Sequence, residues 1–81
     1  MIWTVHLFAG ARDAAGAATL EVELPEGATV ADLRRALQAA APGLTRLRHS
    51  LWIAVNGDYA ADADLLPEGA EIACFPPVSG G

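Results

Sequence analysis

From Thr29 to Ala41 the apolar residues Val30, Leu33, Leu37, Ala40 and Ala41 recur at intervals of three and four, and no other stretch of the chain shows that period. Elsewhere apolar and polar residues alternate at two. One amphipathic helix among short alternating runs is most simply buried against one face of a sheet. The length of 81 residues allows a single small domain that buries about 60% of its unfolded surface. That supports one thin core, and it leaves little interior for a deep catalytic cleft.

The helix carries its own boundary signals. Thr29 is placed to cap it, and Asp32, three residues on, completes a capping-box pattern. Arg34, Arg35 and Gln38 are expected to face away from the core, and Pro42-Gly43 stops the helix after about three turns. Leu44 and Leu47 then fall on one side of a short irregular turn.

Trp3, Val5 and Leu7 alternate with Thr4, His6 and Phe8, which predicts a half-buried strand. Ala9 to Ala17, with two glycines, reads as a loop. Leu20, Val22 and Leu24 alternate with Glu21 and Glu23 in a second strand, closed by a Pro25-Glu26-Gly27 turn. Leu51, Ile53 and Val55 form a third strand ended by Asn56-Gly57, a strong hairpin signal, with Asp58 to Ala60 returning. Leu66 to Gly69 turns again into a last strand, Glu71 to Phe75, with Ile72 and Cys74 inward. The string LPEGA occurs at Leu24 to Ala28 and at Leu66 to Ala70, but a helix follows one copy and a strand the other, so it is reused turn chemistry. The order β-β-α-β-β-β predicts an α+β fold with a mixed sheet on one main helix, and the β-grasp fits it best.

Composition removes several functions. There is no lysine, which excludes lysine nucleophiles, Schiff bases and P-loop chemistry. Five arginines against ten acidic residues give a net charge of −5, unsuited to nucleic acid and suited to a basic protein surface. No apolar run reaches membrane-spanning length and no leader pattern is present, so a cytoplasmic protein without membrane contact is expected. Cys74 alone holds no disulfide and no metal, and on an inward face it acts as a small hydrophobe. His6, His49, Ser50 and the pairs Asp62/Asp64 and Glu21/Glu23 lack catalytic or ligand spacing. No self-sufficient active site is readable.

The C-terminus differs from the rest. Pro76 and Pro77 cannot donate to a ladder, so a domain of residues 1–75 is followed by an extended tail, 76–81. Six residues span about 19 Å at polyproline rise. Gly80 and Gly81 present no side chain, so the terminal carboxylate can enter a channel as narrow as the backbone. A carboxylate on such a thread can attack an activated phosphate and then accept sulfur or an amine. Composition alone yields a Gly-Gly terminus in about 0.5% of chains.

At these residues the chain resembles the small, sulfur-carrying subunit of molybdopterin synthase, the MoaD family of ubiquitin-like proteins. The ending Pro76-Pro77-Val78-Ser79-Gly80-Gly81 resembles that family most specifically; Phe8-Ala9 with Arg12-Asp13 and Gly16, Leu24 to Leu33, and Ala54 to Tyr59 resemble it as well. The resemblance implies that an E1-like partner adenylates Gly81 with ATP, no cofactor being bound by the chain itself. Conversion to a thiocarboxylate would follow, with sulfur donated to cyclic pyranopterin monophosphate inside a large synthase subunit, in a heterotetramer of two small and two large chains. The sulfurtransferase chemistry would then rest on the large subunit.

Strand register places Phe8 and Phe75 opposite the inward residues, which makes them candidate partner-binding side chains. Tyr59 joins them by its place after the Asn-Gly turn and by its resemblance to an apolar family position. Arg12 resembles a family position near the tail. Three other readings stay open: a thiazole-pathway sulfur carrier, a protein modifier joined to target lysines through Gly81, and a β-grasp binding module whose terminus is incidental.

Overall fold

Trp3, Val5 and Leu7 are buried while Ile2 and Thr4 are exposed, so the period-two pattern forms strand β1 (Ile2–Leu7). The computed structural model describes residues 1–47 and 51–76; His49, Ser50, Pro77, Val78, Ser79, Gly80 and Gly81 lie outside the described residues. Helix α1 (Ala9–Ala15) follows β1, then β2 (Thr19–Glu23), α2 (Val30–Ala40), a 3₁₀ helix (Pro42–Leu47), β3 (Trp52–Val55), β4 (Asp58–Tyr59) and β5 (Ile72–Phe75). The sheet order is β2-β1-β5-β3-β4. Only the central pair β1·β5 is parallel, with Val5 opposite Ile72 and Leu7 opposite Cys74. This is the expected α+β, β-grasp-like architecture.

Two helices stand where one was expected, because Ala9 to Ala15 is helical and not a loop. The residues responsible are alanines 9, 11, 14 and 15, the best helix formers, and only Ala11 is buried. Phe8 occupies the N-cap position without a side-chain cap. Gly16 ends the helix in the left-handed region at φ 73°, its N–H donating to the Arg12 carbonyl at 2.9 Å. Close approach to the 3₁₀ helix needs a second glycine. A Cβ on Gly43 would lie 2.1 Å from the Ala14 carbonyl oxygen.

Helix α2 has the capping box written in its sequence. The Asp32 N–H donates to the Thr29 hydroxyl at 3.3 Å, and the Thr29 N–H donates to the Asp32 carboxylate at 3.0 Å. Val30, Leu33 and Leu37 are buried. Ala40 is exposed, contrary to its place in the apolar stripe, because the helix ends there and the chain turns away. Arg34 does not face free solvent either. Its Nε donates to Asp62 Oδ1 at 2.7 Å and its Nη1 to the Leu51 carbonyl at 2.5 Å, tying α2 to the segment before β3 and to the loop after β4. In the 3₁₀ helix Leu44 is fully buried and Leu47 half-buried, the two aligned by the three-residue repeat.

Asn56 and Gly57 join β3 to β4 with φ of 52° and 88°, the pair of positive values a type I′ turn requires. The Asn56 side-chain oxygen also accepts from the Glu71 N–H at 2.9 Å, which fixes the hairpin to the start of β5. The core lies between α2 and the inner face of the sheet, and no buried charged or polar residue occurs among the described residues. The Trp3 indole N–H meets the Pro67 carbonyl at 3.0 Å.

Gly43→Ala is expected to cost about 1–3 kcal/mol, because a backbone carbonyl must move to admit one methyl group. Chemical denaturation measures it, and an unchanged midpoint would refute the close contact. The Thr29 backbone N–H holds the Asp32 carboxyl below its ordinary 3.8, with the Thr29 hydroxyl and Arg35 acting the same way against partial desolvation. Its contribution is therefore complete above that ordinary value and is lost as pH falls through the lowered one. Thr29→Ala is expected to cost about 1 kcal/mol at neutral pH, and Asp32→Asn to flatten the acid limb of a stability–pH curve.

Candidate functional site

Sheet register gathers aromatic side chains on the face away from α2. Trp52 on β3 lies opposite Phe75 on β5, and Tyr59 on β4 lies opposite Ala54. The Trp52 and Tyr59 rings meet edge to face with centroids 5.1 Å apart, and Tyr59 and Phe75 meet tilted at 5.9 Å. Both distances suit favourable aromatic pairs. Tyr59 is 70% exposed and Trp52 46%, while Phe75 is half-buried between its neighbours. Ala54 is buried without belonging to the core cluster, and its register puts it on this same outer face.

Of the partner-binding residues expected from sequence, the structure brings Tyr59 and Phe75 together. Phe8 is 52% exposed, as expected, but it lies past the end of β1, as the N-cap residue of α1. Its N–H still donates to the Cys74 carbonyl at 3.1 Å, which keeps it beside β5. Among the described residues no ring contact joins it to the triad. Arg12 is exposed on α1, bordering an open depression with Asp13, Gly16, Ala17 and Ala18. Trp52 is the residue that the sequence reading missed. The alternation of Leu51, Ile53 and Val55 already set it on the outward side of its strand.

Strand β5 ends at Phe75, and Pro76 follows at the edge of this aromatic face. Gly10 of α1 stands against it, since a Cβ there would be 3.6 Å from Pro76 Cγ. Pro76, the root of the tail, thus lies against α1. Of the tail residues, only Pro76 falls within the described range.

The thiol of the domain is withdrawn from solvent. Cys74 is fully buried, and burial pushes its thiol up to about 11, so it stays protonated at neutral pH. His6 is half-buried on β1 between Thr19 and Ala73 in the register, with no acidic or thiol partner across the ladder. No group of three or more potential metal ligands occurs among the described residues, and no helix there is long and apolar enough to cross a membrane.

Comparison with known proteins agrees with the fold. The chain matches the ThiS family model over residues 5–81. It is 34% identical over 77 residues to the molybdopterin synthase sulfur carrier subunit of Arabidopsis thaliana, covering 95% of this chain and 80% of that one. The crystal structure of small archaeal modifier protein 1 from Haloferax volcanii superposes with a TM-score of 0.88 at 35% identity, covering both chains completely. The putative molybdopterin converting factor subunit 1 of Pyrococcus furiosus gives a TM-score of 0.81 at 31% identity, covering 96% of this chain and 99% of that one. The chain belongs to the ThiS family, within the ThiS/MoaD-like superfamily of small β-grasp sulfur-carrier proteins.

Proposed function

We propose that this chain is a sulfur carrier or ubiquitin-like modifier, with the Gly81 carboxylate as its reactive group. The observation that carries the reading is the end of β5 at Phe75, followed by Pro76, beside an exposed aromatic cluster. We take residues 1–75 as the docking domain and 76–81 as the tail that enters a partner's active site.

The chemistry begins with a carboxylate oxygen attacking the α-phosphate of ATP on an E1-like partner, forming an acyl-adenylate and releasing pyrophosphate. Hydrosulfide from a sulfur donor then attacks the acyl carbon, AMP leaves, and a thiocarboxylate remains on Gly81. Gly80 and Gly81 let this end pass a narrow channel, and Pro76 and Pro77 keep the ladder from extending into it. In the narrower reading the sulfur goes to cyclic pyranopterin monophosphate within a large synthase subunit, two small and two large chains forming the assembly. The molybdopterin synthase sulfur carrier subunit and the converting factor subunit 1 support it. The match to the ThiS family model leaves a thiazole-pathway carrier as a neighbouring form of the same step.

A second fate of the same activated carboxylate is amide bonding to a lysine of another protein. The TM-score of 0.88 to small archaeal modifier protein 1, above the 0.81 to the converting factor subunit, favours it on structural grounds. Because this chain lacks lysine, it cannot form lysine-linked chains on itself. In either fate Trp52, Tyr59, Phe75 and Phe8 meet the partner, with Arg12 near the tail root.

Deleting Gly81, or adding one residue after it, is expected to leave the melting transition unchanged and to abolish charging. The reacting carboxyl shifts by about 3.5 Å per residue, where about 1 Å already costs on the order of a hundredfold in rate. Incubation with the activating enzyme, ATP and a sulfur donor, read by intact mass, tests this; normal charging of either variant would refute the mechanism. Phe75→Ala and Trp52→Ala are each expected to weaken binding of the large subunit by about 1–3 kcal/mol. Loss of a ring pair also lowers stability by about 0.5–1.5 kcal/mol, so calorimetric titration must be normalised to folded protein. Unchanged binding per folded molecule would make the aromatic face a purely structural feature.

A further inference from the structure

We propose that the groove between the two Leu-Pro-Glu-Gly turns is a second docking site, taking an apolar side chain flanked by lysine or arginine on a partner protein. The two turns are built alike. The Ala28 N–H donates to the Pro25 carbonyl and the Ala70 N–H to the Pro67 carbonyl, both at 3.2 Å, with Gly27 at φ 85° and Gly69 at φ 71°. They are also held together. The Leu66 N–H donates to the Ala28 carbonyl at 2.9 Å, and Thr29 and Leu65 form an isolated antiparallel bridge. Between them lies a groove of about 330 Å³ lined by Met1, Gly27, Leu65 and Pro67, with Glu26 and Glu68 supplied by the two turns.

Leu65 is 66% exposed, a large apolar side chain left in water at the groove. Glu26 and Glu68 join no ion pair among the described residues. The Met1 ammonium also lines this end, but it donates to the Leu24 carbonyl at 3.0 Å, and two carboxylates against one ammonium leave the rim negative. An apolar floor with an anionic rim complements an apolar residue with cationic neighbours, in keeping with a net charge of −5.

The topology separates this site from the tail. Strands β1 and β5 run parallel, so Met1 and the turn before Ile72 share one end of the sheet, and Leu7 and Phe75 share the other. Six residues of strand put about 17 Å or more between the ends. A partner in the groove therefore leaves the aromatic face and the tail root open, and the chain can hold two partners at once.

The test uses the full chain, isotope-labelled, with amide shifts followed during titration with the acetylated, amidated tripeptide Arg-Leu-Arg. Saturable shifts at Gly27, Leu65 and Glu68, absent with Glu-Leu-Glu and much weaker with Arg-Gly-Arg, are expected. The double variant Glu26→Gln, Glu68→Gln should weaken binding about three- to tenfold, and Leu65→Ser by a similar factor, both with unchanged melting. Shifts centred on Trp52, Tyr59 and Phe75, equal binding of Arg-Gly-Arg, or no saturable shift would each overturn the proposal. Concentration-dependent shifts of the same amides without peptide would name a second copy of the chain as the occupant, and would overturn it too.

Discussion

The parallel pairing of β1 with β5 sets the rest of the molecule. Parallel neighbours need a long crossover, and here it spans everything between Leu7 and Ile72, including α2 and the β3-β4 hairpin. The inner face of that central pair is deeply buried, with Val5, Ile72 and Cys74 wholly inaccessible. Because both strands run the same way, Phe8 and Pro76 emerge together at one end, and the two Pro-Glu-Gly turns gather at the other. An antiparallel pair would send the tail out beside those turns and away from the aromatic face.

The two faces of the sheet answer to different demands. The inner face is apolar and closed by α2, and burial there raises the Cys74 thiol to about 11. The outer face presents three aromatic rings joined through Tyr59, large apolar surfaces that a free domain leaves partly in water. The aliphatic packing that stabilises the fold and the aromatic cluster thus lie on opposite sides of one layer. The proposed chemistry belongs to neither face.

Much of this was legible in the residues. Thr29 and Asp32 announced the capping box, Asn56-Gly57 the type I′ hairpin, and the alternation in β1 and β5 the buried set, because each depends on contacts close in sequence. Helix α1 was not read, since alanines carry little hydrophobic period and Phe8 offers no capping oxygen; the alanine run closed by Gly16 was the available signal. The role of Arg34 was hidden because its partners, Asp62 and Leu51, are set by tertiary packing. The aromatic face is half legible in the sequence. Phe75 and Tyr59 follow from register and turn position; Trp52 is set outward by the alternation of Leu51, Ile53 and Val55, but its pairing with Phe75 comes from the cross-strand register.

The account turns on whether the end of this chain is chemically activated. Intact-mass measurement of the protein from its native host, with fragmentation of the C-terminal peptide, addresses that directly. The predicted result is an oxygen-to-sulfur exchange confined to the Gly81 carboxyl, or an amide bond from Gly81 to a lysine of another protein. A population in which Gly81 is a plain carboxylate throughout, with neither sulfur nor adduct while the activating enzyme is present, would contradict it.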